Sequence, residues 1–201
     1  VTETQPPYVL GIDSALDRTG VGRIELVDDA CRASTEVIAT STPPDHSIPQ
    51  RCRRIAYVAQ RVTSRWRPSG RPPELVLIEA AALDAHWGDA HTRAGVWFEI
   101  VIPLWQAGVP IAEVAPTTLK KWTTGRGGSK QRPVEKAHMV RAMHQMWPGV
   151  PATSSDLRHH ECESLAMAQM CAQHLGWPVP IRAHHGEPLA VVKWPQLQAG
   201  S

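Results

Sequence analysis

The chain has 201 residues, 42% of them hydrophobic and 20% charged, which suits one globular domain with a substantial core and excludes a disordered or collagen-like chain. No apolar run approaches the roughly 20 residues of a membrane span, and VTETQPPYVL lacks the basic-then-apolar pattern of a secretory signal, so a cytoplasmic protein is expected. The net charge of +2 hides a segregation: residues 46–73 hold seven arginines and no acid, residues 115–141 carry +6, and the remainder is left at −11. Two basic regions on an acidic body would attract a polyanion while leaving acids to hold cations; two solvated helix surfaces would give the same count. Cys31, Cys52, Cys162 and Cys171 are widely spaced with no C-x-x-C pair, which argues for reduced thiols.

In chain order, YVLGID reads as a buried strand ending at Asp13, followed by probable strands GVGRIELVD and STEVIATS, a three-strand meander. From Ile48 to Trp66 the period becomes helical: Ile55, Val58, Ala59, Val62 and Trp66 share a face about 100° wide, with Arg54, Arg61 and Arg65 on the adjoining stripe. RPSGRPP breaks this helix, and ELVLIE is a second buried strand, ending at Glu79. Residues 89–107 are helical in pattern but apolar almost all round (Val96, Trp97, Phe98, Ile100, Val101, Leu104, Trp105), which suits a face against a partner subunit. VPIAEVAP is another strand, leading into TTLKKWTTG, a Gly-rich basic loop, and a helix near Pro133–Trp147. A last helix is expected from about Leu157 to Leu175, capped by Ser154, Ser155 or Asp156. The residues beyond, with Pro178, Pro180, Pro188 and Pro195, read as an extended tail packed on the body or loose. A meander followed by strand, helix, strand alternation implies an α/β domain: a mixed sheet with helices on its faces.

Asp13 and Glu79 each close an apolar strand. If those strands are parallel neighbours, both carboxylates emerge at one sheet edge, where two anions repel unless a cation sits between them. On the last helix His160 and Glu163 are three residues apart, about 60° around the axis, on a face continued by Met167 and Cys171. Hard oxygen donors with one imidazole suit Mg²⁺ or Mn²⁺, and two such ions would position a water and stabilise the leaving 3′ oxygen in phosphodiester hydrolysis. A zinc site from Cys162, Cys171, His160 and His174 would need all four donors on one helix.

G-I-D-S-A-L-D-R-T-G, L-I-E at a later strand end, A-P-x-x-L-K-K-x-x-T-G-x-G-x-x-K and H-x-x-E-S-L-A-M-A together resemble the RuvC family of Holliday junction resolvases over roughly residues 8–175. The resemblance implies an RNase H-like fold with a five-stranded mixed sheet. It further implies a homodimer and metal-dependent symmetric nicking of branched, four-way DNA junctions. It puts the candidate catalytic and metal-ligating set on Asp13, Glu79, His160 and Glu163, with two Mg²⁺ (or Mn²⁺) ions per site. The final pair departs from the family's frequent two aspartates, which favours Mn²⁺ as the ion more tolerant of nitrogen. His159 and Asp156 are alternatives to His160. The first loop departs too, with Ser14-Ala15-Leu16 where Pro-Gly is familiar.

In the same resemblance Lys120 aligns with a lysine that contacts the scissile strand, and Lys130 follows the Gly-rich turn. Gly125, Gly127 and Gly128 would let the backbone approach phosphates closely. Lys121, Arg126, Lys136 and Arg141 extend a candidate DNA track; Arg54 and Arg61 offer a second DNA surface or a solvated face. After Glu79 the family can carry a side chain that wedges between bases, for which Leu83, His86 and Trp87 are candidates. The expected division is a nuclease domain over 1–177 and a C-terminal extension over 178–201. The rival readings are an RNase H-like nuclease acting on RNA, hybrid or flap substrates, a junction-binding protein with weakened catalysis, and a nucleic-acid adaptor working through the apolar helix.

Overall fold

A computed structural model describes residues 5–41, 47–64, 71–80, 89–128, 133–150 and 158–197. Strands β1 (Tyr8–Asp13), β2 (Arg18–Val27), β3 (Ala30–Ala39), β4 (Leu75–Glu79) and β5 (Ile111–Val114) form one sheet in the order β3-β2-β1-β4-β5. The first three strands are antiparallel neighbours, and β4 and β5 run parallel to β1. The β2–β3 hairpin turns on Asp28 and Asp29, with φ of 48° and 59°, left-handed values suited to a two-residue turn between twisted strands. Helices α1 (Ile48–Thr63), α2 (Asp89–Gln106), α3 (Pro116–Thr124), α4 (Lys136–Met146), α5 (Arg158–His174) and α6 (Gly186–Ala190) cover the sheet. This is the mixed five-stranded α/β architecture expected.

Alternation along the strands divides the core in two. Tyr8, Leu10 and Ile12 of β1 and Val76 and Ile78 of β4 face α1 and α2, meeting Val58, Val62, Val96, Ile100 and Leu104. Val9 of β1 and Leu75 and Leu77 of β4 face the other way, against α5 and its neighbours. The same parity sends Asp13 and Glu79 to the α5 side. On that side α5 lies directly on the sheet, because the strand residues beneath it are glycines. A Cβ on Gly11 would sit 2.0 Å from the Ser164 carbonyl oxygen, and one on Gly20 would sit 2.3 Å from the His160 carbonyl oxygen. Cys162 and Cys171 are packed in this apolar layer, and burial pushes the Cys162 thiol up to about 12.

Two parts differ from expectation. TTLKKWTT is helix α3 rather than loop; Pro116 opens it, where a missing N–H costs nothing, and Gly125 closes it at φ 76°. The chain beyond α5 takes the packed rather than the loose alternative, and it contains helix α6 where an extended tail was expected. Trp194 stacks on His174 with ring centroids 4.2 Å apart, and Gln169 Nε2 donates to the Pro180 carbonyl at 2.5 Å. Among the described residues no helix is long and apolar enough to cross a membrane.

Candidate metal centre and nucleic-acid interface

The centre is built by register. Ile12 of β1 is paired with Ile78 of β4, so the next residues along these parallel strands, Asp13 and Glu79, stand side by side on the α5 face. Gly20 is opposite Asp13 on β2, and its missing side chain lets the first turn of α5 descend onto the strand ends. That descent brings His160 Nδ1 to 2.6 Å from Asp13 Oδ2. Donor atoms of Asp13, His160 and Glu163 all lie within 4.8 Å of one another, and Asp13 is only 5% exposed. The four residues selected from the sequence are therefore brought to one edge of the sheet.

Their electrostatics show mutual repulsion. Burial, then the Asp13 charge and a hydrogen bond to Asp13, push the Glu79 carboxyl up to about 8, with Glu163 adding to the rise and Lys120 opposing it. Burial and Asp13 likewise push Glu163 up to about 7, against the lowering effect of His160, Lys136 and Lys120. Crowded, partly desolvated carboxyls of this kind would be relieved by a cation placed between them. The donors fit a hard divalent ion: carboxylate oxygens with one imidazole, whose Nδ1 contact to Asp13 would leave Nε2 available.

A pH dependence follows. The folded-state pKa values of Glu79 and Glu163 lie above the ordinary 4.5, so these two carboxyls take up protons on folding, whereas His159 and His185, lowered to about 4, give protons up below about pH 6.5. Stability without metal is therefore expected to fall as pH rises from about 6.5 to about 8, where the carboxyl contribution is no longer opposed by the histidines. Mn²⁺ must displace the carboxyl protons, so its increment in Tm should grow from pH 5.5 to pH 8. Melting scans in EDTA and in MnCl₂ across that range check both slopes; a Mn²⁺ increment independent of pH would contradict the account.

Around the centre the basic residues divide into two groups. Lys120 of α3 is half-buried and acts on both Glu79 and Glu163. Lys136 of α4 brings its Nζ to 2.8 Å from His159 Nε2, and its charge also reaches Glu163. Arg126 and Arg141 are exposed. By contrast, three residues expected on the DNA surface are engaged within the chain. Arg54 pairs with Asp17 and donates to Thr40 Oγ1, Arg61 is 3.5 Å from Glu36, and Lys121 Nζ is 2.6 Å from Glu187 Oε1. Arg54 thereby ties α1 to the loop that follows Asp13. Lys130, Arg65, Asp156, Ser154 and Ser155 lie outside the described residues, as do the wedge candidates Leu83, His86 and Trp87.

Of the two neighbouring histidines, it is His160 that meets Asp13. His159 turns to Lys136, packs on the His160 ring at 3.8 Å, and is lowered to about 4 by burial, His160 and Lys136. Arg18, which the sequence reading passed over, is near enough to His159 to help lower it. Its signal was the hairpin register, which sets residue 18 just beyond the partner of Asp13.

No protein-family model matches the chain. It is 29% identical over 170 residues to the crossover junction endodeoxyribonuclease RuvC of Maricaulis maris, covering 83% of this chain and 90% of the relative. It is 28% identical over 151 residues to that of Delftia acidovorans, covering 73% and 77%. The Thermus thermophilus RuvC structure superposes with a TM-score of 0.61 at 20% identity, spanning 87% of this chain and 99% of that one. The chain is thus similar in sequence and in fold to RuvC proteins. Its fold is accordingly RNase H-like, matching also a Fowlpox virus resolvase structure at a TM-score of 0.53 and 11% identity. The RuvC family is one of metal-dependent nucleases, and Asp13, His160 and Glu163 are a group able to bind a metal ion.

Proposed function

We propose that the protein is a metal-dependent endonuclease that resolves four-way DNA junctions by paired nicks, with Asp13, Glu79, His160 and Glu163 holding Mg²⁺ or Mn²⁺, two ions per site. The observation that carries this reading is the convergence of those four side chains at one strand edge beside Lys120 and Lys136. The relatives' printed name, crossover junction endodeoxyribonuclease, and the junction complexes of Thermus thermophilus RuvC and the Fowlpox virus resolvase support the choice of substrate. When bound, divalent ions supply Lewis acidity for activating a water and stabilising the leaving 3′ oxygen.

The chain's own residues bind and orient the substrate. Lys120 and Lys136 offset the negative charge of the carboxylate cluster, so that a phosphodiester can approach it. Arg126 and Arg141, exposed near the same helices, continue the attraction along the backbone of an arm, with Lys130 assigned to the same track. His160 stands where the family often carries an aspartate, so the centre has one carboxylate fewer. That substitution favours Mn²⁺ over Mg²⁺, and it also supports the second reading, a junction binder with weakened catalysis.

We assign homodimerisation to α2. Phe98, Ile102 and Trp105 lie within about 60° of one another on this helix and are 54%, 42% and 71% exposed, an apolar stripe on a helix whose opposite side is core. Trp105→Glu is expected to shift the protein from dimer to monomer at micromolar concentration and to convert paired nicks into single ones. Sedimentation velocity with a supercoiled cruciform cutting assay reads both effects; a Trp105→Glu dimer would remove α2 from the interface.

The test of function is strand nicking of a labelled mobile four-way junction in Mg²⁺ and separately in Mn²⁺, with linear duplex, flap and RNA/DNA hybrid controls and Asp13→Asn as blank. Symmetric nicks on the junction alone are expected. Equal cutting of the controls would overturn the substrate, and tight binding with no cutting in either metal would favour the junction-binder reading.

A further inference from the structure

We propose that residues 178–197 act as a strap that sets the position of Lys120, and that His185 and Glu187 are positioning residues for the nuclease reaction. The proposal deepens the reading of the site as a junction nuclease and rests on it. Helix α3 is short, nine residues, and carries Lys120 toward Glu79 and Glu163. An isolated helix of this length is not stable in water, so its position depends on what is packed against it. Leu119, Trp122 and Thr123 form its buried face, and Trp122 Nε1 donates to Gln173 Oε1 of α5 at 3.1 Å.

The other contacts come from the strap. The Trp122 ring is stacked on His185, with centroids 3.9 Å apart and planes inclined by 24°, and both residues are fully buried. The adjacent Lys121 is paired with Glu187 at 2.6 Å. At the helix's C-terminal end, the His184 ring comes so close to Gly125 that a Cβ there would be 3.3 Å from Nδ1. The two residues following Lys120 and the glycine that ends its helix are thus all held by three of four consecutive strap residues.

A clamp needs a fixed base, and the strap has one. Arg182 donates to Gln145 Oε1 at 2.9 Å and to the Ala142 carbonyl at 3.3 Å on α4, the helix that also carries Lys136. Gln169 of α5 reaches the Pro180 carbonyl, and Trp194 lies flat on His174 at the end of α5. The strap therefore refers Lys120 to the same helix that supplies His160 and Glu163. A misplacement of about 1 Å at a reacting centre can cost about 10²-fold in rate, which is the scale on which such bracing acts. Glu187 is exposed, so its ion pair contributes little to stability, and the burial of Trp122 against His185 is the main constraint.

The test compares His185→Ala, His185→Phe, Glu187→Gln and the reciprocal exchange Lys121→Glu/Glu187→Lys. Three readouts are used: single-turnover cutting of pre-bound four-way junction, junction affinity in Ca²⁺, and hydrogen exchange of the α3 amides. His185→Ala is expected to lower the cutting rate about tenfold, to leave the Kd within about twofold, and to lose protection over residues 117–125. His185→Phe, which keeps a flat ring, should retain rate and protection, and Glu187→Gln should slow cutting about two- to threefold with recovery in the exchanged pair. Unchanged rate and protection in His185→Ala would overturn the proposal. So would an exchanged pair that cuts slowly because it binds weakly, since Lys121 would then be a DNA contact. If the wild-type protein cuts no junction, the functional reading fails by itself; the strap then stands or falls on the α3 exchange pattern.

Discussion

Glu79→Gln should bind a four-way junction at least as tightly as the wild-type protein while cutting it at least about 10³-fold more slowly. The carboxyl is replaced by a neutral group of nearly the same shape, so the β4 end and its packing against α5 persist. Two consequences then oppose each other in different assays. On the proposed function, a donor for the divalent ion is lost, and with it the means of activating water. When a bound cation holds Glu79 ionised, the substitution also removes a negative charge beside Asp13 and Glu163, so the centre repels phosphate less. Single-turnover cutting in Mn²⁺ and affinity in Ca²⁺ separate the two, and weaker binding by a folded Glu79→Gln protein would contradict the electrostatic account. Lys120→Met is the informative companion. Its loss should weaken binding and cutting together, because the positive charge opposing the acids disappears.

Gly11→Ala should destabilise the fold by more than about 3 kcal/mol, at or beyond the upper end of ordinary overpacking. A methyl group at that position meets the Ser164 carbonyl oxygen at 2.0 Å and the Ala168 nitrogen at 2.4 Å, atoms of a helix backbone that no side-chain rotation can move aside. Relief requires α5 to rise from the sheet, and the rise would carry His160 and Glu163 away from Asp13. Urea unfolding measures the loss. Gly186→Ala, with nothing within 4 Å of the added atom, is the control and should change stability by less than about 1 kcal/mol. Equal midpoints for the two variants would mean that the helix accommodates the methyl group without the cost argued here.

Much of this was legible in the sequence. Strand ends at Asp13 and Glu79 could be found because apolar runs stop there, and the His160 and Glu163 pair because helical spacing needs no tertiary information. The parallel pairing that makes the two strand acids neighbours could be stated only as a condition. Helix α3 was missed although its signals were present, Pro116 at the first turn and Gly125 at the end; the run of lysines and threonines between them drew the reading toward a loop. What could not be read were contacts between distant residues without a pattern. The stack of Trp194 on His174 and the pairings of Arg54 with Asp17 and of Lys121 with Glu187 have no local signature. The basic run over 46–73 illustrates this limit: its composition suggested a polyanion surface, yet Arg54, Arg61 and Arg71 each meet an acid of the chain itself.

The contact between Asp13 and His160 joins residues 147 positions apart. Closing such a long loop carries a large entropic cost, so this contact is expected to form after the meander and the β1–β4 pairing. A nascent or proteolysed N-terminal fragment can hold both strand acids and still lack the helix that completes the centre. A nuclease built on this centre would stay inert until nearly all of its fold has assembled.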